Sequence, residues 1–172
     1  MAAADFRDRL QPALLDRLVD EAPQQRSETE SQRVMSRSQF RQAVLRDLGW
    51  LFNAVQPEPG WAQAHPELAA TVLNFGLPPL AGQRLSRLDI HELERTIALA
   101  IRRFEPRLLP ATLSVHALEA SSVLDTHNLV EFEIRGHLWA QPVPLEVLFR
   151  TRLDLEAGQV EVEDAGSLAR PR

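Results

Sequence analysis

The stretch Val130-Glu-Phe-Glu-Ile-Arg-Gly-His-Leu138 decides the fold class, because apolar and polar residues alternate along it. A period of two predicts a β-strand with one face on an apolar core and the other face in water. The same alternation occurs before it, in residues 113–117, and after it, in residues 145–155 and 159–163. The dipeptide Ala157-Gly158 is a tight-turn signal between the last two segments. The second half of the chain is therefore predicted to form antiparallel strands.

The first half of the chain has the longer apolar period that is typical of helices. Residues 36–55 are predicted to form one helix, opened by a capping box, and residues 87–104 a second, with Ser86 and Asp89 as its capping pair. Helices followed by antiparallel strands indicate an α+β domain. We predict two long helices packed on one face of a small, mostly antiparallel sheet, with a short tethered N-terminal helix.

The N-terminal helix carries a leucine stripe that is a candidate partner-binding surface. Its apolar residues fall on one helical face and are Leu10, Leu14, Leu15 and Leu18. A helix this short is marginal by itself. We expect Leu14, Leu15 and Leu18 to dock in the groove of a partner, and the alternative is docking on the protein's own core.

Three segments follow from these patterns. Residues 20–33 contain no large apolar side chain, which predicts a polar linker. We therefore assign the short helix and linker to residues 1–33, the folded domain to residues 34–164 and a flexible tail to residues 165–172.

The composition narrows the classes of protein. A chain of 172 residues without cysteine is expected to form one domain with no disulfide, thiolate zinc site or thiol nucleophile. The 24 acidic and 19 basic residues give a net charge of -5, which argues against generic nucleic-acid binding. The apolar stretches are short and the N-terminus lacks the order of a signal peptide, so we expect a cytoplasmic protein without direct membrane insertion.

Residues with catalytic potential form no recognisable constellation. The histidines are scattered and are typical of solvated or structural positions; they are His65, His91, His116, His127 and His137. No glycine-rich phosphate loop opens a helix, and no serine has the flanking glycines of a nucleophile elbow. We therefore predict no catalytic residue, no metal site and no cofactor.

The segment Glu105-Pro106-Arg107 breaks a local rule. Because Pro106 disfavours helical geometry in the residue before it, the helix should end at Phe104. Glu105 then places a negative charge beside the exposed carbonyls, at a cost of ~0.3–1 kcal/mol. In the extended chain Glu105 and Arg107 point to the same side. The pair is either a partner-binding group or a solvated ion pair that contributes ~0–1 kcal/mol.

Six short motifs appear in order between residues 10 and 163. They are Leu14-Leu-Asp-Arg-Leu18, Ala43-Val-Leu-Arg-Asp-Leu-Gly-Trp-Leu-Phe-Asn53, Thr71-Val-Leu-Asn-Phe-Gly-Leu-Pro-Pro-Leu80, Phe104-Glu-Pro-Arg-Leu108, Phe132-Glu-Ile-Arg-Gly136 and Phe149-Arg-Thr-Arg-Leu-Asp-Leu155. They resemble TssE-type baseplate subunits of bacterial type VI secretion systems, within the phage baseplate wedge and tail-lysozyme-like family. Gly49 departs from the pattern, at a cost of roughly 1 kcal/mol in helix propensity relative to alanine.

The resemblance implies a structural role. A subunit of this kind joins wedge partners of the TssF, TssG and TssK type and supports the start of a contractile sheath built from TssB- and TssC-type subunits. The motif that holds the subunit to its wedge partners falls here on Glu105, Pro106 and Arg107. The alternative is a muramidase-like hydrolase of the phage tail-lysozyme lineage, although the resemblance brings no recognisable catalytic pair onto this sequence.

The family's domain also resembles part of the sheath subunit, which implies that its sheet offers an edge to an incoming strand. The predicted strands within residues 130–138 and 145–155 are long and contain no proline. They could pair with a partner strand. The outward residues would then select that strand; they are Glu131, Glu133, Arg135, Arg150 and Arg152. The sequence leaves open which strand lies at the edge, and the alternative is that the domain caps its own edges.

Overall fold

A four-stranded antiparallel sheet forms the C-terminal part of the chain that the structure describes. This structure is a computed structural model, and it describes residues 10, 12–18, 35–57, 64–83, 88–118 and 128–167. The strands are β1 (Ser114–Ala117), β2 (Leu129–Leu138), β3 (Leu145–Asp154) and β4 (Gln159–Asp164). Each strand pairs with the next one along the chain, in the order β1-β2-β3-β4. The antiparallel sheet predicted from the alternation is therefore confirmed.

The α-helices that lie wholly within the described residues are α1 (Leu14–Leu18), α2 (Arg37–Asn53) and α3 (Ile90–Phe104). α2 begins with the predicted capping box, in which the side chain of Ser36 accepts the Gln39 N–H at 3.2 Å. The side chain of Gln39 in turn accepts the Ser36 N–H at 2.9 Å. This reciprocal pair satisfies amides that have no partner inside the helix.

α3 begins at Ile90 rather than at residue 87. The Asp89 carboxylate accepts the Glu92 N–H at 3.1 Å and so acts as the N-cap. Ser86, the other member of the predicted capping pair, lies outside the described residues. The predicted end of the helix at Phe104 is confirmed, with Glu105 as the C-cap.

One apolar core joins α2, α3 and the inward face of the sheet. Its largest fully buried side chains are Phe132, Phe149, Leu48, Leu51, Ile101, Leu108, Ile134, Leu138, Leu153, Leu155, Val44 and Val147. Each buried leucine, valine or phenylalanine side chain contributes about 1.5–3 kcal/mol relative to an exposed one. The architecture is thus a mixed helix and antiparallel sheet domain held by a shared core.

The predicted extension of the first helix to residue 55 is wrong. α2 ends at Asn53, and Ala54 is already extended. The Leu77 N–H donates to the Ala54 carbonyl at 2.9 Å, which draws the chain out of the helix and into a loop. Gly76 is required at this crossing, because a Cβ there would lie 2.3 Å from the Ala54 carbonyl oxygen. Val55 is consequently exposed instead of buried.

The two long strands are central, so the interpretation that offers them as free edges is wrong. β2 and β3 pair with each other over their full lengths. β1 covers the other side of β2 along residues 132–135, and β4 covers the other side of β3 along residues 149–154. The edges of the described sheet are therefore β1 and β4.

The terminal segments are described in part. α1 is helical, whereas the predicted polar linker of residues 20–33 lies outside the described residues. The predicted tail begins with the short 3-10 turn Ala165–Ser167, in which Ala165 is buried. Residues 168–172 lie outside the described part of the chain.

Candidate partner-binding site

Glu105 closes α3 and carries its carboxylate into the domain. Its backbone N–H still donates to the Ile101 carbonyl at 2.8 Å, but its own backbone has left the helical region, as expected before Pro106. The residue is only 3% exposed. A buried carboxylate needs paired charge and hydrogen bonds, because transfer of an isolated ion out of water is very unfavourable.

Arg107 supplies that pairing through three contacts. Its backbone N–H and its Nε donate to Glu105 Oε1 at 3.1 and 2.7 Å. Its Nη2 donates to Glu105 Oε2. The guanidinium therefore binds the carboxylate in the bidentate arrangement that gives strong, oriented ion pairs.

Asp47, in the middle of α2, is the second acceptor of Arg107. Nη2 of Arg107 donates to Asp47 Oδ2 at 2.5 Å across a separation of 60 residues. The loop after α3 is thus bonded directly to α2. Nη1 of Arg107 makes no hydrogen bond to any of the described residues, and the Arg107 side chain is 20% exposed.

Arg46 continues the series of charges toward α1. Its Nε donates to Asp47 Oδ1 at 2.9 Å, and its Nη1 donates to Asp16 Oδ1 at 2.6 Å. The same guanidinium lies 5.0 Å from the ring centroid of Trp50. We call the set Asp16, Arg46, Asp47, Glu105 and Arg107 the charge network. Its three carboxylates and two guanidiniums connect α1, α2 and the end of α3.

The guanidinium charges are stabilised within this network. Burial opposes the charge of Arg107, but hydrogen bonds and charge from Glu105, and then from Asp47, raise its pKa above the ordinary value. Burial likewise opposes the charge of Arg46, while Asp16 and Asp47 raise its pKa. Both arginines therefore remain charged as they hold the carboxylates.

The structure corrects the interpretation of Glu105 and Arg107 as an exposed pair. Their side chains point to the same side, as expected, but that side faces α2 instead of solvent. Asp47 was missed from the sequence, as were Arg46 and Asp16. The only local signal was that Asp47 lies four residues before the apolar position Leu51 on a helix packed against the core, and spacing alone does not identify its partner.

The backbone of this loop is fixed to the end of β2. The Trp139 N–H donates to the Arg107 carbonyl at 2.7 Å, and the Leu109 N–H donates to the His137 carbonyl at 2.9 Å. Leu108, between these bonds, is buried. Pro106 and the Trp139 side chain are both exposed beside this anchored segment. The motif is thus a surface loop that backbone hydrogen bonds hold to the end of β2, with a buried charged base.

The leucines of α1 face away from the domain. Leu14, Leu15 and Leu18 are 75%, 42% and 72% exposed, and we call them the α1 leucines. Leu10 precedes the helix and packs against the core. The polar side of α1 faces α2 instead, through the Asp16 contact described above. The predicted leucine stripe is therefore divided between the core and the surface.

The three arginines proposed from the strands lie on the solvated face of the sheet. Arg135 pairs with Glu133 on its own strand at 2.5 Å. Arg152 pairs with Glu131 at 3.2 Å and approaches Glu161 at 3.8 Å across the sheet. Arg150 is exposed in the register position opposite Glu133 and Glu163. No hydrogen bond or ion pair between described residues joins these arginines to the charge network.

Side chains from both long helices bind the two sheet edges. Asn53, at the end of α2, donates to the Val160 carbonyl at 2.8 Å and accepts the Val160 N–H at 3.0 Å. Glu94, on α3, accepts the Ala117 N–H at 2.7 Å. The Ala117 amide, and then His91, lower the pKa of Glu94 below its ordinary value. Each edge is therefore capped by the domain at one residue or more.

The described residues contain no group of three or more histidine, cysteine, aspartate or glutamate side chains that could hold a metal ion. Within them, no helix is long and apolar enough to cross a membrane. A depression of about 80 Å³ on the solvated sheet face is lined by Glu131, Arg150, Thr151, Arg152, Glu161 and Glu163.

Comparison with known proteins identifies the family from which these features come. The family model described as baseplate wedge protein gp25 matches residues 38–143. The match includes most of α2, all of α3, β1 and β2, and four of the five members of the charge network. No curated protein and no solved structure matches the chain.

Proposed function

The chain belongs to the baseplate wedge protein gp25 family, which is also the family of TssE, and on this premise we propose that it is a baseplate subunit of a type VI secretion system. The family has a structural role in a phage-like baseplate. In the proposed role this subunit joins wedge partners of the TssF, TssG and TssK type in the cytoplasm. It also supports the start of a contractile sheath of TssB- and TssC-type subunits.

The charge network is the observation that carries this proposal. Glu105, Arg107 and Asp47 hold the loop after α3 against α2, while Arg46 and Asp16 hold α1 against the same helix. Residues from three parts of the chain are thereby kept in one arrangement. A surface that is held in one arrangement before binding loses less conformational entropy on association, which suits a component of an assembly.

Exposed apolar side chains beside this network support partner binding. The α1 leucines are exposed next to α2, and Trp50, which is 52% exposed, stacks with Arg46 on the same helix. Grouped apolar side chains on a soluble protein are typical of interaction sites. Nη1 of Arg107 adds an oriented donor to the partner. A carbonyl oxygen is a suitable acceptor, since Glu105 and Asp47 already neutralise the guanidinium.

The sheet supports the second part of the proposal, contact with the sheath. A strand edge can accept a partner strand through backbone hydrogen bonds. The outward charges Arg135, Arg150 and Arg152 lie on the central strands, so β1 or β4 separates them from an added strand, and they would affect how fast that strand associates more than which strand fits. Because β2 and β3 are central, such a strand must add to β1 or to β4.

We further propose that the subunit has no hydrolase activity. A catalytic acid of the muramidase type needs an apolar pocket that raises its pKa. The most buried carboxylate described, Glu105, is instead bound by Arg107. The carboxylates around the depression on the sheet lie in rows with arginines across the strands.

Copurification tests the proposed function. A tagged subunit, expressed with the wedge and sheath subunits of the same system, should retain the TssF-, TssG- and TssK-type proteins. Replacement of Leu14 and Leu18 by serine should reduce this retention. Leu99→Ser, which changes a leucine that is 45% exposed on α3, is the matched control and should not reduce it. Failure of the wild-type subunit to retain any wedge protein would contradict the proposal.

A further inference from the structure

The two edges of the sheet are closed in different ways. At the β4 edge, Val160 directs both its N–H and its carbonyl away from β3, and Asn53 binds both groups. Alternation along an antiparallel strand places the amide of Val162 on the same outward side. Any strand that adds to β4 must therefore first displace the end of α2.

α2 also closes the neighbouring end of this edge. Arg41 donates to the carbonyl of Glu146, on β3 beyond the end of β4, at 3.1 Å. It also lies 3.4 Å from the Asp164 carboxylate. The helix that carries Arg41 and Asn53 is anchored by buried core residues, among them Val44 and Leu48. Displacement of α2 from β4 would consequently disrupt the core.

Within the described residues, the β1 edge is closed by fewer hydrogen bonds than the β4 edge. The Leu118 N–H donates to the Glu131 carbonyl at 2.8 Å, so Ser114, His116 and Leu118 direct their amides toward β2. Val115 and Ala117 then direct theirs outward. Among the described residues, the only hydrogen bond to these outward groups is the one from the Ala117 N–H to Glu94.

The two caps, Asn53 and Glu94, also differ in the number of hydrogen bonds that are lost when each is released. Asn53 gives up two bonds to Val160, and its Nδ2 is additionally tied to the Gly49 carbonyl at 2.8 Å. Glu94 gives up one bond. Its side chain is 18% exposed and keeps the contact with His91 at 3.0 Å, so the freed carboxylate retains a partner.

We propose that β1, and not β4, is the edge that accepts an extended strand from the sheath subunit, and that Glu94 is the releasable cap of this edge. The inference rests on the proposed function and specifies its contact with the sheath. In the free subunit Glu94 occupies the Ala117 amide. In the assembly a carbonyl of the incoming strand takes its place.

Proline substitutions distinguish the two edges. Ala117→Pro removes an outward amide from β1, and Val162→Pro removes an outward amide from β4 as the matched control. Neither change removes a hydrogen bond to the neighbouring strand, because both amides face outward. Proline is tolerated at edge positions of this kind. Both residues are partly buried, and Ala117→Pro additionally removes the hydrogen bond to Glu94. The thermal midpoint of each purified variant checks that the domain remains folded.

Fluorescent sheath assembly in cells is the readout. Ala117→Pro should abolish sheaths while the subunit still copurifies with its wedge partners, and Val162→Pro should leave sheaths at the wild-type number. Loss of sheaths with Val162→Pro alone, loss with both variants, or normal sheaths with both variants would overturn the choice of β1. Failure of the wild-type subunit to copurify with wedge proteins is a separate result, which contradicts the proposed function itself.

A second pair of variants tests the cap and does not introduce proline. Glu94→Ala frees the Ala117 amide and should increase the number of sheaths per cell. Glu92→Ala, which removes an exposed carboxylate two residues away on α3, should leave that number unchanged. A Glu94→Ala strain with no more sheaths than the Glu92→Ala strain would show that Glu94 is not a releasable cap.

Discussion

Removal of the Arg107 side chain should destabilise the domain strongly, whereas removal of one member of an exposed ion pair would have little effect. Glu105 is 3% exposed and would keep only the bond from the Arg107 backbone N–H. Asp47 would lose its contact with Nη2 as well. Removing one partner of a buried pair leaves an uncompensated charge, so the free energy of unfolding of Arg107→Ala should fall by about 3–5 kcal/mol. For a chain of this size, Tm should fall by roughly 2–4 °C per kcal/mol.

Urea denaturation and thermal unfolding of purified variants measure this loss. Arg95→Ala is the control, because Arg95 and its partner Glu92 are both mostly exposed and their pairing should not affect Tm. The double variant Glu105→Gln/Arg107→Ala should recover part of the loss, since it also removes the buried charge. If Arg107→Ala shifts Tm no more than Arg95→Ala does, the charge network does not hold the domain together and our reasoning about burial is wrong.

Four further results are expected. Deletion of residues 1–30 should leave a folded domain that copurifies poorly with wedge partners, because the α1 leucines are lost; an insoluble product would instead favour a core role for this segment. Gly49→Ala should raise the unfolding free energy by about 0.5–1 kcal/mol, as judged from Tm, because the added Cβ meets no atom within 4 Å. The Ala117 amide, and then His91, lower the pKa of Glu94 below its ordinary value of 4.5. The bonds from these two groups to Glu94 therefore stabilise the fold at pH values above 4.5, and this stabilisation is lost as pH falls through the lowered pKa of Glu94. The difference in denaturation midpoint between wild type and Glu94→Gln should accordingly be present at neutral pH and shrink in acid; a constant difference would rule out this titration. Incubation with peptidoglycan should release no reducing ends above a buffer control, and turnover that disappears in a single Glu or Asp variant would establish a hydrolase.

Local patterns in the sequence were sufficient to predict most of the secondary structure. The alternation along β2 records which side of the strand faces the core, because successive side chains point to opposite faces. Ser36 and Gln39 mark the start of α2, since a capping box involves residues only three positions apart. Pro106 marks the end of α3 through steric contact with its immediate neighbour. The motifs in the same order also led to the family that the comparison later identified.

The environment of the candidate site depended on contacts between distant residues. Arg107 meets Asp47 across 60 positions, and Asn53 meets Val160 across 107. Neither pair is implied by spacing, because a helix can pack on a sheet in several rotations and registers that bury the same apolar residues. Only the packing actually adopted turns Asp47 toward the end of α3 and brings Asn53 to the β4 edge. The sequence by itself therefore determined the elements and the family, whereas the tertiary structure decided that Glu105 is buried and that β1 and β4 are the edges. The physical reason is that helices and strands are specified by neighbours along the chain, while burial and edge position depend on which surfaces pack together.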